Sequence, residues 1–176
     1  MTLDELAIKY GSDKSSLAHN YMPFYEKYLP LPAHPRKLLE IGVKDGASIR
    51  IWKDWFPNTE IHGLDLFSEG TPPEIEGVKW HKGNQIDYLL LEQLRKENFD
   101  VIIDDGSHNS RDQLMTFFGL FNGGQYYIED LHCCFDSPYR DGLPDAACAY
   151  DLFSALDDSP TKLTIIRKGN IVVIQS

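Results

Sequence analysis

The alternation of short apolar runs with amphipathic segments restricts this chain more than any other feature. Lys37-Leu38-Leu39-Glu40-Ile41, Glu60 to Asp65, Val78 to His81, Phe99 to Ile103 and Gln125 to Glu129 read as strands. Between them, Ala47 to Phe56, Ile86 to Lys96 and Arg111 to Phe121 repeat apolar residues at helical spacing. Strands separated by helices form a mostly parallel α/β sheet with right-handed crossovers. Near-continuous apolar strands fit burial on both faces. Pro144-Asp145 opens a further predicted helix carrying Ala147, Tyr150, Phe153 and Leu156. The last two runs, Lys162 to Ile166 and Ile171 to Ile174, are joined only by a turn at Lys168-Gly169-Asn170. That is too little chain for a crossover, so they are predicted to form an antiparallel hairpin.

Ahead of the sheet, Thr2-Leu3-Asp4-Glu5 is a capping-box pattern, and it predicts a helix over 2–9 that stops at Gly11-Ser12-Asp13-Lys14. A second helix is predicted over about 19–29, ending before Pro30, Pro32 and Pro35. Tyr21, Phe24, Tyr25 and Tyr28 read as its core face. The expected organisation is a helical lead-in over 1–35 and a sheet domain over 36–176. At 176 residues and 42% apolar composition, the chain has one domain's worth of core.

Charge and cysteine content exclude several classes. Lys plus Arg is 17 and Asp plus Glu is 27, so the formal charge is −10. Sequence-independent nucleic-acid binding runs on lysine and arginine and is not expected. A surplus of carboxylates suits a protein that holds a cation. Cys133 and Cys134 are adjacent and Cys148 stands alone, which is no disulfide framework and suggests a reducing, cytoplasmic setting. The acidic start Met1-Thr2-Leu3-Asp4-Glu5 is not expected to act as a leader peptide, and no apolar run approaches the ~20 residues of a membrane span.

In open α/β sheets ligands lie beyond the carboxyl ends of the strands. There this chain places Gly42 and Gly46, then Asp65, then Gly83-Asn84-Gln85. Beyond them come Asp104-Asp105-Gly106-Ser107-His108 and Glu129-Asp130-Leu131-His132. The glycine turn lets backbone approach a ligand closely, although it lacks the full G-x-G-x-x-G pattern. Asp65, about 20 residues on, is placed to accept ribose hydroxyls. Carboxylates gathered after adjacent strands would repel one another unless a hard cation such as Mg²⁺, Mn²⁺ or Ca²⁺ neutralised them. His108 beside them suits a general base. Singly, Asp104 or Ser107 can also be read as the cap of the helix over 111–121. Cys133 and Cys134 read as packing residues.

These segments resemble class I S-adenosylmethionine-dependent methyltransferases, and more narrowly the metal-dependent sugar O-methyltransferases of macrolide and aromatic-polyketide tailoring. The resemblance rests on Lys9-Tyr10-Gly11-Ser12-Asp13-Lys14, on Leu38 to Val43 with Gly46, on Phe99 to His108, and on Tyr127-Ile128-Glu129-Asp130-Leu131. It implies a Rossmann-like seven-stranded sheet in the order 3-2-1-4-5-7-6. It implies that Glu40, Gly42 and Gly46 cradle the methionine arm of S-adenosylmethionine, that Asp65 holds the ribose, and that Asn84, Gln85 and Asp104 complete the cofactor contacts. Asp105, Glu129 and Asp130 would bind Mg²⁺ or Mn²⁺, and His108 would be the base. Tyr10, Ser12 and Lys14 would help close the site over the methionyl end.

The sequence departs from the family at Asn84, where an aspartate is usual, and at Cys133-Cys134-Phe135, where hydroxyl-bearing residues are common. The larger relatives carry an auxiliary N-terminal domain that is not expected here, so part of the surface for a bulky glycoside is expected to be missing. The acceptor is expected to be a hydroxylated small molecule, a sugar or glycoside. Association of identical copies is compatible with the sequence. Two rivals stand beside this reading. One is a non-haem iron oxygenase using His108, His132 and Glu129 or Asp130. The other is a non-catalytic S-adenosylmethionine-binding module.

Overall fold

The computed structural model describes residues 1–29, 35–68, 70–136, 139 and 163–176. The helix expected from Pro144 lies outside the described residues. Two helices, α1 (Leu3–Tyr10) and α2 (Met22–Tyr28), precede β1 (Lys37–Ile41). Then follow α3 (Ala47–Trp55), β2 (Glu60–Asp65), β3 (Val78–Lys82), α4 (Tyr88–Arg95) and β4 (Val101–Asp104). The chain continues through α5 (Ser110–Leu120), β5 (Gln125–Ile128), a 3-10 turn at Leu131–Phe135, β6 (Thr164–Lys168) and β7 (Ile171–Gln175).

The seven strands lie in the order β3-β2-β1-β4-β5-β7-β6, as expected. β1 to β5 are parallel, β7 runs antiparallel to β5, and β6 and β7 form the terminal hairpin. Strand alternation sorts the core into two layers. Leu38, Val101, Ile103, Tyr127 and Val173 face α1, α2 and α3, where Leu3, Leu6, Tyr25 and Trp52 fill the space. Leu39, Ile41, Ile102, Tyr126, Ile128 and Val172 face α4 and α5, against Leu91, Leu94, Phe117 and Leu120. The N-terminal helices therefore supply core to one face of the sheet.

Capping decides where the helices start. Thr2 accepts from Glu5 N, and the Glu5 side chain accepts from Thr2 N, closing the box read from the sequence. α4 starts two residues later than its periodicity predicts, because Asp87 takes the N-cap and accepts from Leu89 N and Leu90 N. α5 is capped by Asn109, through Arg111 N and Asp112 N, and not by Asp104 or Ser107. Asp104 ends β4 fully buried and Ser107 bonds Asp112 instead. α2 begins at Met22 because residues 15–20 are spent in hydrogen-bonded turns such as Asn20 N to Ser15 O.

The junction of β1 and β4 is the tightest point near the carboxyl edge. Gly42 has φ +82, and a Cβ there would lie 2.0 Å from the Asp105 carbonyl oxygen. Glycine is thus required twice, by conformation and by close approach. Gly42→Ala is expected to cost about 2–4 kcal/mol, combining left-handed strain with overpacking. Urea denaturation checks this, and a variant as stable as wild type would contradict it.

Candidate active site

Three adjoining cavities run along the carboxyl edge of the sheet, and Gly42 lines all of them. The first, about 200 Å³, is walled by Leu64, Asp65, Asn84, Gln85, Gly106 and Ser107. The middle one, about 250 Å³, is walled by His19, Tyr21, Lys44, Asp105, His108 and Asp130, with Glu129 behind. The third, about 110 Å³, lies between Ser12, Asp13 and Lys14 on one side and Val43 to Asp45 on the other. A Cβ on Gly106 would meet the Gln85 amide at 2.1 Å, so glycine is required there for Gln85 to pack against the loop. Lys44, His108 and Asp130 all have φ between 53° and 57° and all line the middle cavity. Non-glycine residues in that conformation cost of order 1–3 kcal/mol each, and such strain gathers at functional sites.

The middle cavity is built on an acidic centre. β4 ends at Asp104 and delivers Asp105; β5 ends at Ile128 and delivers Glu129 and Asp130. One oxygen from Asp105, one from Asp130 and a His108 ring nitrogen lie within 4.8 Å of one another. His108 Nε2 is 4.0 Å from Asp105 Oδ1 and 3.9 Å from Asp130 Oδ2. Glu129 is buried and directed inward, where its Oε1 accepts from the Tyr25 hydroxyl and its Oε2 accepts from Lys14 Nζ at 2.8 Å. Lys14 Nζ also donates to Asp105 Oδ2 and stands 3.9 Å from Glu40 Oε1. Glu40 accepts from Trp52 Nε1 at 3.0 Å, and its Oε1 has no hydrogen-bond donor.

Burial alone would pull the Lys14 ammonium down in pKa, but Asp105, Glu129 and Glu40 outweigh it and hold Lys14 charged. Burial pushes the Glu129 carboxyl up, and only in part does Lys14 offset this. Burial likewise lifts Glu40 to about 7, against the pull of Lys14. One ammonium thus faces more carboxylate than it can balance. That donor set, with an imidazole beside two half-buried carboxylates, fits a further hard cation.

The structure distributes the residues singled out from sequence unevenly. Ser12, Lys14, Gly42, Asp65, Asn84 and Gln85 line the trough. Asp65 is already engaged: Oδ2 accepts from Val43 N and Lys44 N, and Oδ1 from Phe67 N, so it pins the glycine turn. The Asn84 amide oxygen caps Ile86 N. Gln85 bridges Asp104, Thr116 and Ser107 N. Asp104, expected among the cofactor contacts, is instead fully buried and supports the loop from behind, bonded to Tyr126, Gln85 and Gly106 N. Glu40 sits beneath the trough under Lys14, and Gly46 packs against Pro73 and Ile75. Tyr10 points to Asp54 of α3 and lines none of the three cavities. His132 does not join the Asp105, His108, Asp130 group. The His108 and His132 pair of the iron rival is therefore not brought together with the carboxylates among the described residues.

Sequence reasoning assigned Tyr21 and Tyr25 to the core, and their rings are buried there. Their hydroxyls nevertheless reach Asp130 and Glu129. The available signal was tyrosine in place of phenylalanine at two positions of one apolar face, since a buried phenol needs a partner. His19, 3.5 Å from Asp130, and Asp13, facing Lys44 across the trough, were also missed.

No family model matches the chain. Among curated proteins, it is 36% identical over 73% of its length to the 8-demethyl-8-(2-methoxy-alpha-L-rhamnosyl)-tetracenomycin-C 3'-O-methyltransferase of Streptomyces olivaceus. It is 32% identical, over the same share, to the mycinamicin VI 2''-O-methyltransferase of Micromonospora griseorubida. It is 30% identical over 89% of its length to the L-olivosyl-oleandolide 3-O-methyltransferase of Streptomyces antibioticus. The chain spans 36–45% of the length of these curated relatives. Among solved structures, the MycE methyltransferase of the mycinamycin pathway, in complex with Mg, SAH and mycinamycin VI, superposes with a TM-score of 0.85 at 24% identity. That superposition covers 100% of this chain and 53% of MycE. The fold is therefore that of a Rossmann-like methyltransferase. Within that class, the chain's homologues are sugar O-methyltransferases of macrolide and polyketide pathways. No helix among the described residues is long and apolar enough to cross a membrane.

The buried Glu40 yields a prediction about stability. It faces Lys14, Asp105, Ser48 and Trp52, and burial lifts it to about 7. An unfolded glutamate titrates near ~4.3. Between those values the folded chain keeps a proton that the unfolded chain has lost, so this group favours folding at low pH and its contribution is lost as pH rises toward 7. Relative to Glu40→Gln, wild-type stability should fall by about 3 kcal/mol between pH 4.5 and 8. Parallel stability curves for the two proteins in urea titrations would contradict it.

Proposed function

We propose that the chain carries the catalytic fold of an S-adenosylmethionine-dependent O-methyltransferase acting on a hydroxyl of a sugar or glycosylated natural product. The observation that carries the reading is the meeting of His108, Asp105 and Asp130 over the same glycine that lines the whole trough. The first cavity suits the nucleoside, with Asp65, Asn84 and Gln85 along its wall. The third suits the amino-acid arm, with Ser12 and Lys14 beside it. The acceptor enters the middle cavity. An acceptor sized for the relatives' glycosides would reach well beyond this trough.

When bound, the sulfonium donor supplies an electrophilic methyl group. Asp105 and Asp130 would hold Mg²⁺ or Mn²⁺, whose positive charge would lower the pKa of a nearby hydroxyl; Glu129, expected from the sequence as a third ligand, has both oxygens bonded to Lys14 and Tyr25. His108 Nε2 takes the acceptor O–H proton as the oxygen forms its bond to the methyl carbon. The donor would leave as a neutral thioether that keeps the electron pair of its methyl–sulfur bond, and the acceptor would become a methyl ether. Asp105 Oδ1 and Asp130 Oδ2 stand about 4 Å from His108 Nε2.

Three measurements test this. Calorimetry should detect S-adenosylhomocysteine binding by the wild type, and no detectable affinity would sink the methyltransferase reading. Chelation with EDTA should abolish methyl transfer to glycosylated acceptors, and Mg²⁺ or Mn²⁺ should restore it; full turnover in the chelated sample would remove the metal. His108→Asn should lower kcat by ~10²–10⁴ while donor affinity stays unchanged. Turnover like wild type in that variant would rule out His108 as base. Tight donor binding with no turnover on any diol would favour the non-catalytic module.

A further inference from the structure

Asp105 and Asp130 each have one oxygen tied to the N-terminal segment and one left facing the cavity, whereas both oxygens of Glu129 are bonded, to Tyr25 and Lys14. Asp105 gives Oδ2 to the Lys14 ammonium, and its Oδ1 is the oxygen turned to His108. Asp130 gives Oδ1 to the Tyr21 hydroxyl, with His19 Nδ1 at 3.5 Å, and its Oδ2 is the oxygen turned to His108. Lys14 and Tyr21 both come from the stretch between α1 and α2, held by bonds such as Tyr21 N to Lys14 O at 3.0 Å. Tyr21 is 5% exposed and Lys14 2% exposed, so neither is a loose surface contact.

We propose that Tyr21 and Lys14 are positioning residues that set which cation the acidic centre accepts. By binding the outer oxygen of each aspartate, they leave a single oxygen on Asp105 and a single oxygen on Asp130 for the ion. A carboxylate restricted to one oxygen suits a small octahedral ion such as Mg²⁺ or Mn²⁺. A larger ion such as Ca²⁺ gains more from carboxylates free to turn both oxygens inward. The segment over 12–21 is then a built part of the metal site, and the selectivity of the centre is written in residues that never touch the ion. Outer partners of this kind typically govern metal affinity by ~10–100-fold. The inference rests on the metal-dependent reading of the same site.

The test is ion selectivity, a readout independent of turnover. Mn²⁺ binding is followed by electron paramagnetic resonance, and Ca²⁺ by its competition with Mn²⁺, on wild type, Tyr21→Phe and Lys14→Gln. Tyr21→Phe keeps the buried ring and removes only the hydroxyl, and thermal melts confirm that each variant is folded. Tyr21→Phe is expected to weaken Mn²⁺ about tenfold and to lower the Mn²⁺ to Ca²⁺ affinity ratio by a similar factor. Lys14→Gln, if folded, should lower the ratio in the same direction. A merely structural role would weaken both ions together and leave the ratio unchanged, and that result overturns the inference while sparing the metal itself. Failure of the wild type to bind Mn²⁺ at millimolar concentration overturns the metal-dependent reading and this inference with it.

Discussion

The rest of the site depends on one buried ammonium. Lys14 inserts between the carboxyl ends of β1, β4 and β5, meeting Glu40, Asp105 and Glu129 from those three strands. Without it, two fully buried acids and a partly exposed third would crowd together, a state proteins avoid by protonation or by unfolding. With it, the acids are drawn together but not fully neutralised. The cavity-facing oxygens of Asp105 and Asp130 are what make the middle cavity a place for a second cation. Breaking a buried pair of this kind by removing one partner typically costs ~3–5 kcal/mol.

The same contact explains why the N-terminal helices belong to the site. α1 and α2 bury Leu3, Leu6, Phe24 and Tyr25 against one face of the sheet. That packing fixes where the stretch between them crosses the carboxyl edge. Lys14, Tyr21 and Tyr25 then reach acids more than 90 residues away in sequence. Hydrophobic burial thus supplies the force, and the buried polar contacts supply the register.

Much of this was legible in the sequence. The strand order followed from the alternation of elements together with the family resemblance, and the hairpin followed from the short spacing before Ile171. The gathering of Asp105, His108, Glu129 and Asp130 at one sheet edge was also readable, because the carboxyl-end rule collects residues without requiring their orientation, although Glu129 turns inward to Lys14 and Tyr25. Orientation was not readable. Asp104 and Asp105 are neighbours, yet one is fully buried against Tyr126 and the other faces the cavity, since alternation along β4 reverses their directions. Asp65 and Asn84 stand where a ligand contact was expected, but their oxygens are partly spent on local backbone amides. Tyr21 and Tyr25 looked like core because their rings are core. Only the three-dimensional placement of α2 shows where the hydroxyls end.

The central claim is that the glycine-floored trough and the acidic centre form one site for a nucleoside donor and a divalent ion. A crystal grown with S-adenosylhomocysteine and Mn²⁺, with data collected for anomalous scattering at the manganese edge, tests it most directly. The account predicts a manganese peak against Asp105 and Asp130, with the nucleoside lying along Asp65 and Asn84. A nucleoside bound elsewhere, or an acidic centre without a manganese peak at saturating Mn²⁺, would contradict it.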